Sequence, residues 1–335
     1  MVITVLGDGA WGTAWANMLS QNGHTVKLWC YNAKVCSEIN TKKINSIYLP
    51  HINLDKNLHT YTSLEKSLTD AQWICVSIPV KFLSNILTQA KKYLTPSQKF
   101  MILSKGVDNK HFLVSDLLSS TLGYSPPAVV VAGPSFARDL ANKGLTGLTV
   151  ASKSLKLANE TAKIIQNEYC FCQISNDPTG VQICSIFKNL IATGLGILSG
   201  IDTPENSKAF FLTKILDELK VIIKKLGGNP QTILSLAGIG DIVLTGYSKQ
   251  SKNFNLGLEL SKPIGLNTFD TKIVRSSNSI KIDESENTAQ VFLKMQKNWN
   301  IKVPLLSSLC KVITGEEPND YFFKSLFLAT KKVNN

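Results

Sequence analysis

Gly7-Asp-Gly9-Ala-Trp-Gly12 is the first segment of this 335-residue chain whose residue types and spacing could do chemistry. It follows a short apolar stretch, Val2 to Leu6, and opens a helical pattern, Thr13 to Gln21, that ends at Asn22-Gly23 before a second apolar stretch. In a strand-turn-helix unit the first glycine makes the tight turn and the second lets a pyrophosphate approach the backbone. The third lets helix and strand pack closely, with the phosphates at the helix N-terminus. A glycine turn alone is common; here the strand before, the helix after and the second strand beyond agree on a dinucleotide site. Ala10 and Trp11 fall inside the predicted loop, and the Trp11 indole either covers the pyrophosphate or simply packs.

In this kind of unit an acidic residue at the end of the second strand reads a ribose 2′-hydroxyl, and a basic one a 2′-phosphate. Here the sequence runs Trp29-Cys-Tyr31-Asn32-Ala-Lys34, with no acid at that place. That removes the repulsion that would exclude NADP, and Lys34 or the Tyr31 hydroxyl could meet its phosphate. The residues therefore point to NAD or NADP, with dual use or NADP preference. Four later segments set polar residues among glycines and apolar neighbours: Ser104-Lys105-Gly106, Gly133-Pro-Ser135-Phe-Ala137, Phe187-Lys188-Asn189 and Gly238-Ile-Gly-Asp241. Lys188 is the most demanding, because a charge inside an apolar helical run costs several kcal/mol unless it is paired or neutralised. A lysine that snorkels to water, or a buried ion pair, would meet that demand too. Asp241, directly after Gly240, would serve equally as a helix cap.

The elements that must position these residues change character along the chain. Val2 to Leu6, Thr25 to Cys30, Trp73 to Ile78, Lys99 to Leu103, Ala128 to Val131 and Leu148 to Ala151 are predicted strands separated by helix-sized segments. That is the pattern of parallel strand-helix-strand units. After Ser175-Asn-Asp-Pro-Thr-Gly180 come long helical patterns, Gln182 to Leu198, Ser207 to Leu226 and Thr288 to Trp299, with hardly any strand signal. The expected fold class is α/β: a Rossmann-type, doubly wound sheet domain over residues 1–178, then an all-α domain over residues 179–335.

Apolar residues make up 44% of the chain and charged residues 18%, which supplies a sizeable core and excludes global disorder. The formal charge of +12 invites a nucleic-acid or membrane-surface partner. The basic residues are scattered, however, and all but Arg138 and Arg275 are lysines, so neither partner is expected. Seven cysteines lack a metal-ligand spacing, and His24, His51, His59 and His111 lack ligand or triad spacing, so no metal is expected. The N-terminus has no basic n-region, no apolar stretch reads as a membrane span, and the cysteine usage suits a reduced cytoplasm. The apolar helical part leaves room for a homodimer interface.

Several strings occur together and in order: Gly7-Asp-Gly-Ala-Trp-Gly-Thr-Ala14, Tyr48-Leu-Pro50, Ser104-Lys-Gly106, Gly133-Pro-Ser-Phe-Ala137, Lys188-Asn189, Ala237-Gly-Ile-Gly-Asp-Ile-Val-Leu-Thr245 and Ser251-Lys-Asn253. In this combination the chain resembles the bacterial NAD(P)-dependent glycerol-3-phosphate dehydrogenases over nearly its whole length. The resemblance implies hydride exchange between a nicotinamide and C2 of sn-glycerol 3-phosphate, giving dihydroxyacetone phosphate, and a role in supplying phospholipid synthesis. It implies that Lys188 is the general acid/base and Lys105 a second active-site lysine. Asp241 would anchor the lysine geometry, with Asn189 and Thr245 as supporting hydrogen-bonding groups. Ser251, Lys252 and Asn253 would hold the substrate phosphate at a helix start. Gly133 and Ser135 match substrate contacts, and Ala137, Glu284 and the nearby Ile282 match cofactor contacts, with Tyr31 and Asn32 at the adenosine end.

The chain departs from the family pattern in three places. Lys252 replaces an arginine and cannot make the planar bidentate contact to phosphate. Ser285 follows Glu284 where a glycine is usual, and Tyr31 takes a basic or histidine position. Two alternatives follow. One is an NAD(P)H-binding regulatory paralogue without turnover, favoured by the substitutions around the cofactor. The other is a different small hydroxy-acid dehydrogenase of the same plan, which the segments Gly133 to Ala137 and Ser251 to Asn253 argue against.

Overall fold

The computed structural model describes residues 1–261 and 284–331. The chain divides into two compact units, Met1–Gln182 and Ile183–Asn335. The first holds an eight-stranded sheet of β1 (Val2–Leu6), β2 (Thr25–Trp29), β3 (His59–Tyr61), β4 (Trp73–Val76), β5 (Lys99–Ile102), β6 (Ala128–Ala132), β7 (Thr146–Ala151) and β8 (Cys170–Ser175), in the order β3-β2-β1-β4-β5-β6-β7-β8. The central strands read as near-continuous apolar runs because helices cover both faces. Among the covering helices are α1 (Ala10–Gln21), α2 (Ala33–Lys42), α3 (Leu64–Leu68), α4 (Val80–Ala90), α5 (Val114–Leu122), α6 (Ala137–Ala141) and α7 (Leu155–Ile165). Strand order reverses direction between β1 and β4, and in such sheets ligands bind beyond the carboxyl ends of the strands at that point.

The sheet is doubly wound as expected, with differences that have physical causes. β3 was not expected, since three residues, His-Thr-Tyr, give no periodicity to read. β6 and β7 pair antiparallel. A parallel return needs a crossover of a dozen or more residues, usually a full helix, and the segment between these strands carries only the five-residue α6. Helix α1 begins at Ala10, so Ala10, Trp11 and Gly12 form its first turn and not the loop that the sequence suggested.

In the second unit the helical expectation holds, and no strand occurs among the described residues. Its helices are α8 (Pro178–Gly200, which starts in the first unit), α9 (Glu205–Lys225), α10 (Asp241–Gly246), α11 (Lys252–Leu260), α12 (Glu284–Trp299), α13 (Pro304–Thr314) and α14 (Asn319–Lys331). α8 is apolar on every side and correspondingly buried: Ile183, Phe187, Leu190, Ile191, Leu195 and Leu198 are all sealed from solvent. It is the one helix among the described residues long and apolar enough to cross a membrane, and its apolar window is fully buried. The Phe187 ring meets Phe292 of α12 edge to face at 5.1 Å. Where α8 crosses α11, the backbones touch: a β-carbon on Gly257 would strike the Thr193 carbonyl and stand 2.7 Å from Gly196 Cα. α13 has no capping side chain of its own, and Glu218 of α9 serves instead, its two carboxylate oxygens accepting from Leu305 N at 2.9 Å and Leu306 N at 2.8 Å.

Candidate active site

The three glycines after β1 are required for different reasons. Gly7 has φ +121°, a conformation L side chains rarely adopt, and a β-carbon there would lie 2.7 Å from the Ser77 carbonyl oxygen beyond β4. A β-carbon on Gly12 would strike the Gly7 carbonyl, so this residue sets the approach of helix to strand. At Gly9 the protein imposes nothing: φ is −65°, and a β-carbon would meet no atom within 4 Å. The space above Gly9 therefore suits a group that is not protein. α1 starts there with no side-chain cap and no acid in its first turn, leaving its N–H groups and positive dipole end for an anion. A pyrophosphate suits this cradle of free main-chain space at the start of α1. The Trp11 ring packs on Trp15 at 5.6 Å, which favours the packing role, and its buried Nε1 has no hydrogen-bond partner among the described residues.

A residue of this loop that sequence reasoning passed over proves the best anchored. The Asp8 carbonyl accepts from Thr13 Oγ1 at 3.1 Å and from Asn45 Nδ2 at 3.0 Å, and Asn45, fully buried, also donates to Thr13 Oγ1 at 2.8 Å. The Asp8 carboxylate accepts from Asn32 N at 3.0 Å through Oδ2. It is 8% exposed. Asn32 in turn caps α2, its Oδ1 accepting from Lys34 N at 2.9 Å. Burial first, and then the Asp8 carboxylate, push the neighbouring Cys30 thiol well above its ordinary range. The end of β2 thus has an acid after all, supplied by the glycine loop and not by β2 itself. Tyr31 is 81% exposed, its ring 6.4 Å from that of Trp29, and Lys34 is exposed.

Further residues stand at the carboxyl ends of the neighbouring parallel strands. Ser104 donates to the Val76 carbonyl at 3.1 Å and the Ile78 carbonyl at 2.6 Å, tying the end of β5 to that of β4 and fixing where Lys105, half-buried, leaves the sheet. Gly133 follows β6 and has a steric need of its own, since a β-carbon would lie 2.5 Å from the Gly147 carbonyl oxygen. Ser135 Oγ donates to the Gly133 carbonyl at 3.0 Å, and Ala137 begins α6.

In the second unit the buried charge of α8 finds a partner. Lys188 Nζ donates to Asp241 Oδ1 at 2.6 Å, with side chains only 8% and 1% exposed. Asp241 is the first residue of α10 with helical backbone, so it is an ion-pair partner and not the helix cap. The segment before it, Leu236–Gly240, is a single wide helical turn whose glycine Gly238 leaves the helical conformation, with a side-chain cap from Ser235. Thr245 Oγ1 donates to the Asp241 carbonyl at 2.7 Å and lies 3.4 Å from its Oδ1. Asn189, beside Lys188, is buried. An ammonium held this way, buried and oriented against a carboxylate, can deliver a proton to an oxygen.

At the start of α11, Ser251 is the N-cap, its Oγ accepting from Phe254 N at 3.2 Å, while Lys252 is exposed and Asn253 half-buried. Ser285, buried, donates from Oγ to Asn253 Oδ1 at 2.7 Å. The Ser285 hydroxyl thus fixes the orientation of the amide, with Nδ2 as its donor side. Glu284 opens α12 and is exposed, and Ile282 lies outside the described residues. Among the described residues no group of three His, Cys, Asp or Glu side chains is placed to hold a metal ion.

Residues 2–158 match the sequence model of the NAD-dependent glycerol-3-phosphate dehydrogenase N-terminus, and residues 177–324 that of its C-terminus. The chain belongs to this family. It is 31% identical to the glycerol-3-phosphate dehydrogenase [NAD(P)+] of Staphylococcus saprophyticus over 334 residues, 99% of each chain. It is also 31% identical to the Bacillus anthracis protein of the same name over 93% of this chain and 91% of that one. The crystal structure of the glycerol-3-phosphate dehydrogenase of Coxiella burnetii superposes with a TM-score of 0.86 at 25% identity, covering 100% of this chain and 99% of that one. A ketopantoate reductase from Ralstonia eutropha shares the fold, with a TM-score of 0.62 at 14% identity over 97% of this chain. As a member of the glycerol-3-phosphate dehydrogenase family, the chain is an NAD(P)-dependent oxidoreductase acting on a CH–OH group.

Proposed function

We propose that this protein interconverts dihydroxyacetone phosphate and sn-glycerol 3-phosphate with NADH or NADPH, supplying glycerol phosphate for phospholipid synthesis in the cytoplasm. The observation that carries the reading is the buried 2.6 Å pair of Lys188 and Asp241, with Thr245 against the carboxylate. When bound, the nicotinamide supplies the hydride that C2 receives. In that direction Lys188 Nζ gives a proton to the C2 oxygen, and in the other it takes the proton back. Asp241 favours the ammonium and aims it, and Thr245 holds Asp241. Lys105 is proposed to polarise the carbonyl oxygen, and Asn253, Lys252 and Ser251 to bind the phosphate at the N-terminus of α11. Gly133 and Ser135 are proposed substrate contacts, and Ala137 and Glu284 coenzyme contacts.

The test is oxidation of NADH and NADPH by dihydroxyacetone phosphate, with wild type and Lys188→Ala compared. Turnover by the wild type and a loss of at least about 10²-fold in kcat for Lys188→Ala is the expected result. A wild type that turns over with neither coenzyme refutes the reading, and a Lys188→Ala variant at full rate removes the role given to that lysine.

A further inference from the structure

We infer that Asp8 sets the coenzyme preference of this protein, taking over from the glycine loop the part that an acid at the end of β2 plays in other dinucleotide-binding sheets. The inference rests on the coenzyme site proposed above. Its starting point is a mismatch between sequence and structure. The residues that end β2 and follow it, Trp29-Cys30-Tyr31-Asn32, contain no acid, yet the carboxylate of Asp8 sits there, accepting the Asn32 N–H at 3.0 Å.

Three features make this a built arrangement. The Asp8 carbonyl is held by both Thr13 and Asn45, which fixes the main chain of the loop, and the carboxylate itself is held by its bond to Asn32 N. Asn32 is itself immobilised as the α2 cap. Burial first, and then the Asp8 carboxylate, raise the Cys30 thiol, in keeping with a carboxylate set against the strand end. Asn32 N satisfies only one of the carboxylate's several acceptor positions, so the group retains capacity for a hydroxyl. A ribose 2′-hydroxyl can donate to it. A 2′-phosphate can only accept, and brings a like charge to a site of low dielectric. Lys34, exposed one turn away at the start of α2, offsets part of that repulsion, so NADPH is weakened and not excluded.

The experiment measures the dissociation constants of NADH and NADPH for the full-length protein by calorimetry, with no substrate present. Wild type is expected to bind NADH more tightly. Asp8→Asn keeps the shape and an oxygen for Asn32 N while deleting the charge. It should move the NADPH-to-NADH affinity ratio toward NADPH by about tenfold or more, in line with a like charge removed from a partly buried site. Asp8→Ser, smaller and also neutral, should move it in the same direction, and it decides the matter if Asp8→Asn fails to fold. A ratio that stays within about twofold of wild type in a folded neutral variant, or a wild type that prefers NADPH, overturns the inference while leaving the proposed reaction intact. A wild type that binds neither coenzyme overturns the proposed function and this inference with it.

Discussion

Asp241→Asn asks how much of the chemistry depends on the carboxylate behind Lys188. The change is nearly isosteric and leaves an oxygen that can accept from Nζ, so what it removes is charge. The pair is 2.6 Å apart with both side chains more than nine-tenths buried. Deleting one member of such a pair costs about 3–5 kcal/mol, because the survivor is left as an uncompensated buried ion. With the amide still accepting a hydrogen bond, the lower end applies, and ~3 kcal/mol at ~1.4 kcal/mol per decade sets a scale of about 10²-fold for a step that needs the pair intact. The proton moves to the substrate oxygen in the transition state, so the loss should fall on kcat, about 10²-fold for dihydroxyacetone phosphate reduction. KM for dihydroxyacetone phosphate should change by less than about threefold. Steady-state kinetics with saturating coenzyme reads both, and a Lys188→Ala/Asp241→Asn double variant should be little worse than Lys188→Ala alone, since the two act as a unit. A folded Asp241→Asn protein that keeps more than about a third of wild-type kcat would show that Asp241 only fills space.

Other residues allow sharper statements about affinity and stability. Ser285→Ala frees the Asn253 amide to turn its oxygen toward the phosphate. It should raise KM for dihydroxyacetone phosphate about three- to tenfold, in keeping with one hydrogen bond of ~1 kcal/mol, with kcat changed less and Ser285→Thr restoring most of it. Lys252→Arg should lower the same KM with little change in kcat, as a planar donor pair replaces a point charge; an unchanged or higher KM contradicts the phosphate assignment. Glu218→Ala strips the N-terminus of α13 of two charge-assisted acceptors and should cost about 2–3 kcal/mol, read as a lower urea midpoint at constant slope.

The parts of this molecule governed by local spacing were legible in the sequence, and the parts governed by distant partners were not. Gly7, Gly9 and Gly12 reveal a dinucleotide turn by their spacing between strand and helix; Gly7 and Gly12 have local steric reasons to lack a side chain, while Gly9 leaves open space. Lys188 could be singled out because a charge among apolar neighbours is an anomaly within one helix. Its partner lies 53 positions away, and the residues around Asp241 allowed a helix cap just as well. Asp8 escaped for the same reason, since its bond to Asn32 spans 24 positions and nothing in Gly-Asp-Gly marks the aspartate as special. The antiparallel β7 depended on the shortness of α6, and the helical start at Ala10 on the lack of any cap signal before it.

The contact of α8 with α11 bears on how this sequence has been free to change. At Gly196 and Gly257 main chain rests on main chain, so the position of the helix that carries Ser251, Lys252 and Asn253 does not depend on the identity of its polar side chains. A chain that uses lysine almost throughout, with two arginines among its 36 basic residues, can carry a lysine at position 252 and a hydroxyl behind Asn253 without displacing either helix. The polar residues at the start of α11 can change one by one, while a side chain at Gly196 or Gly257 would force the two helices apart.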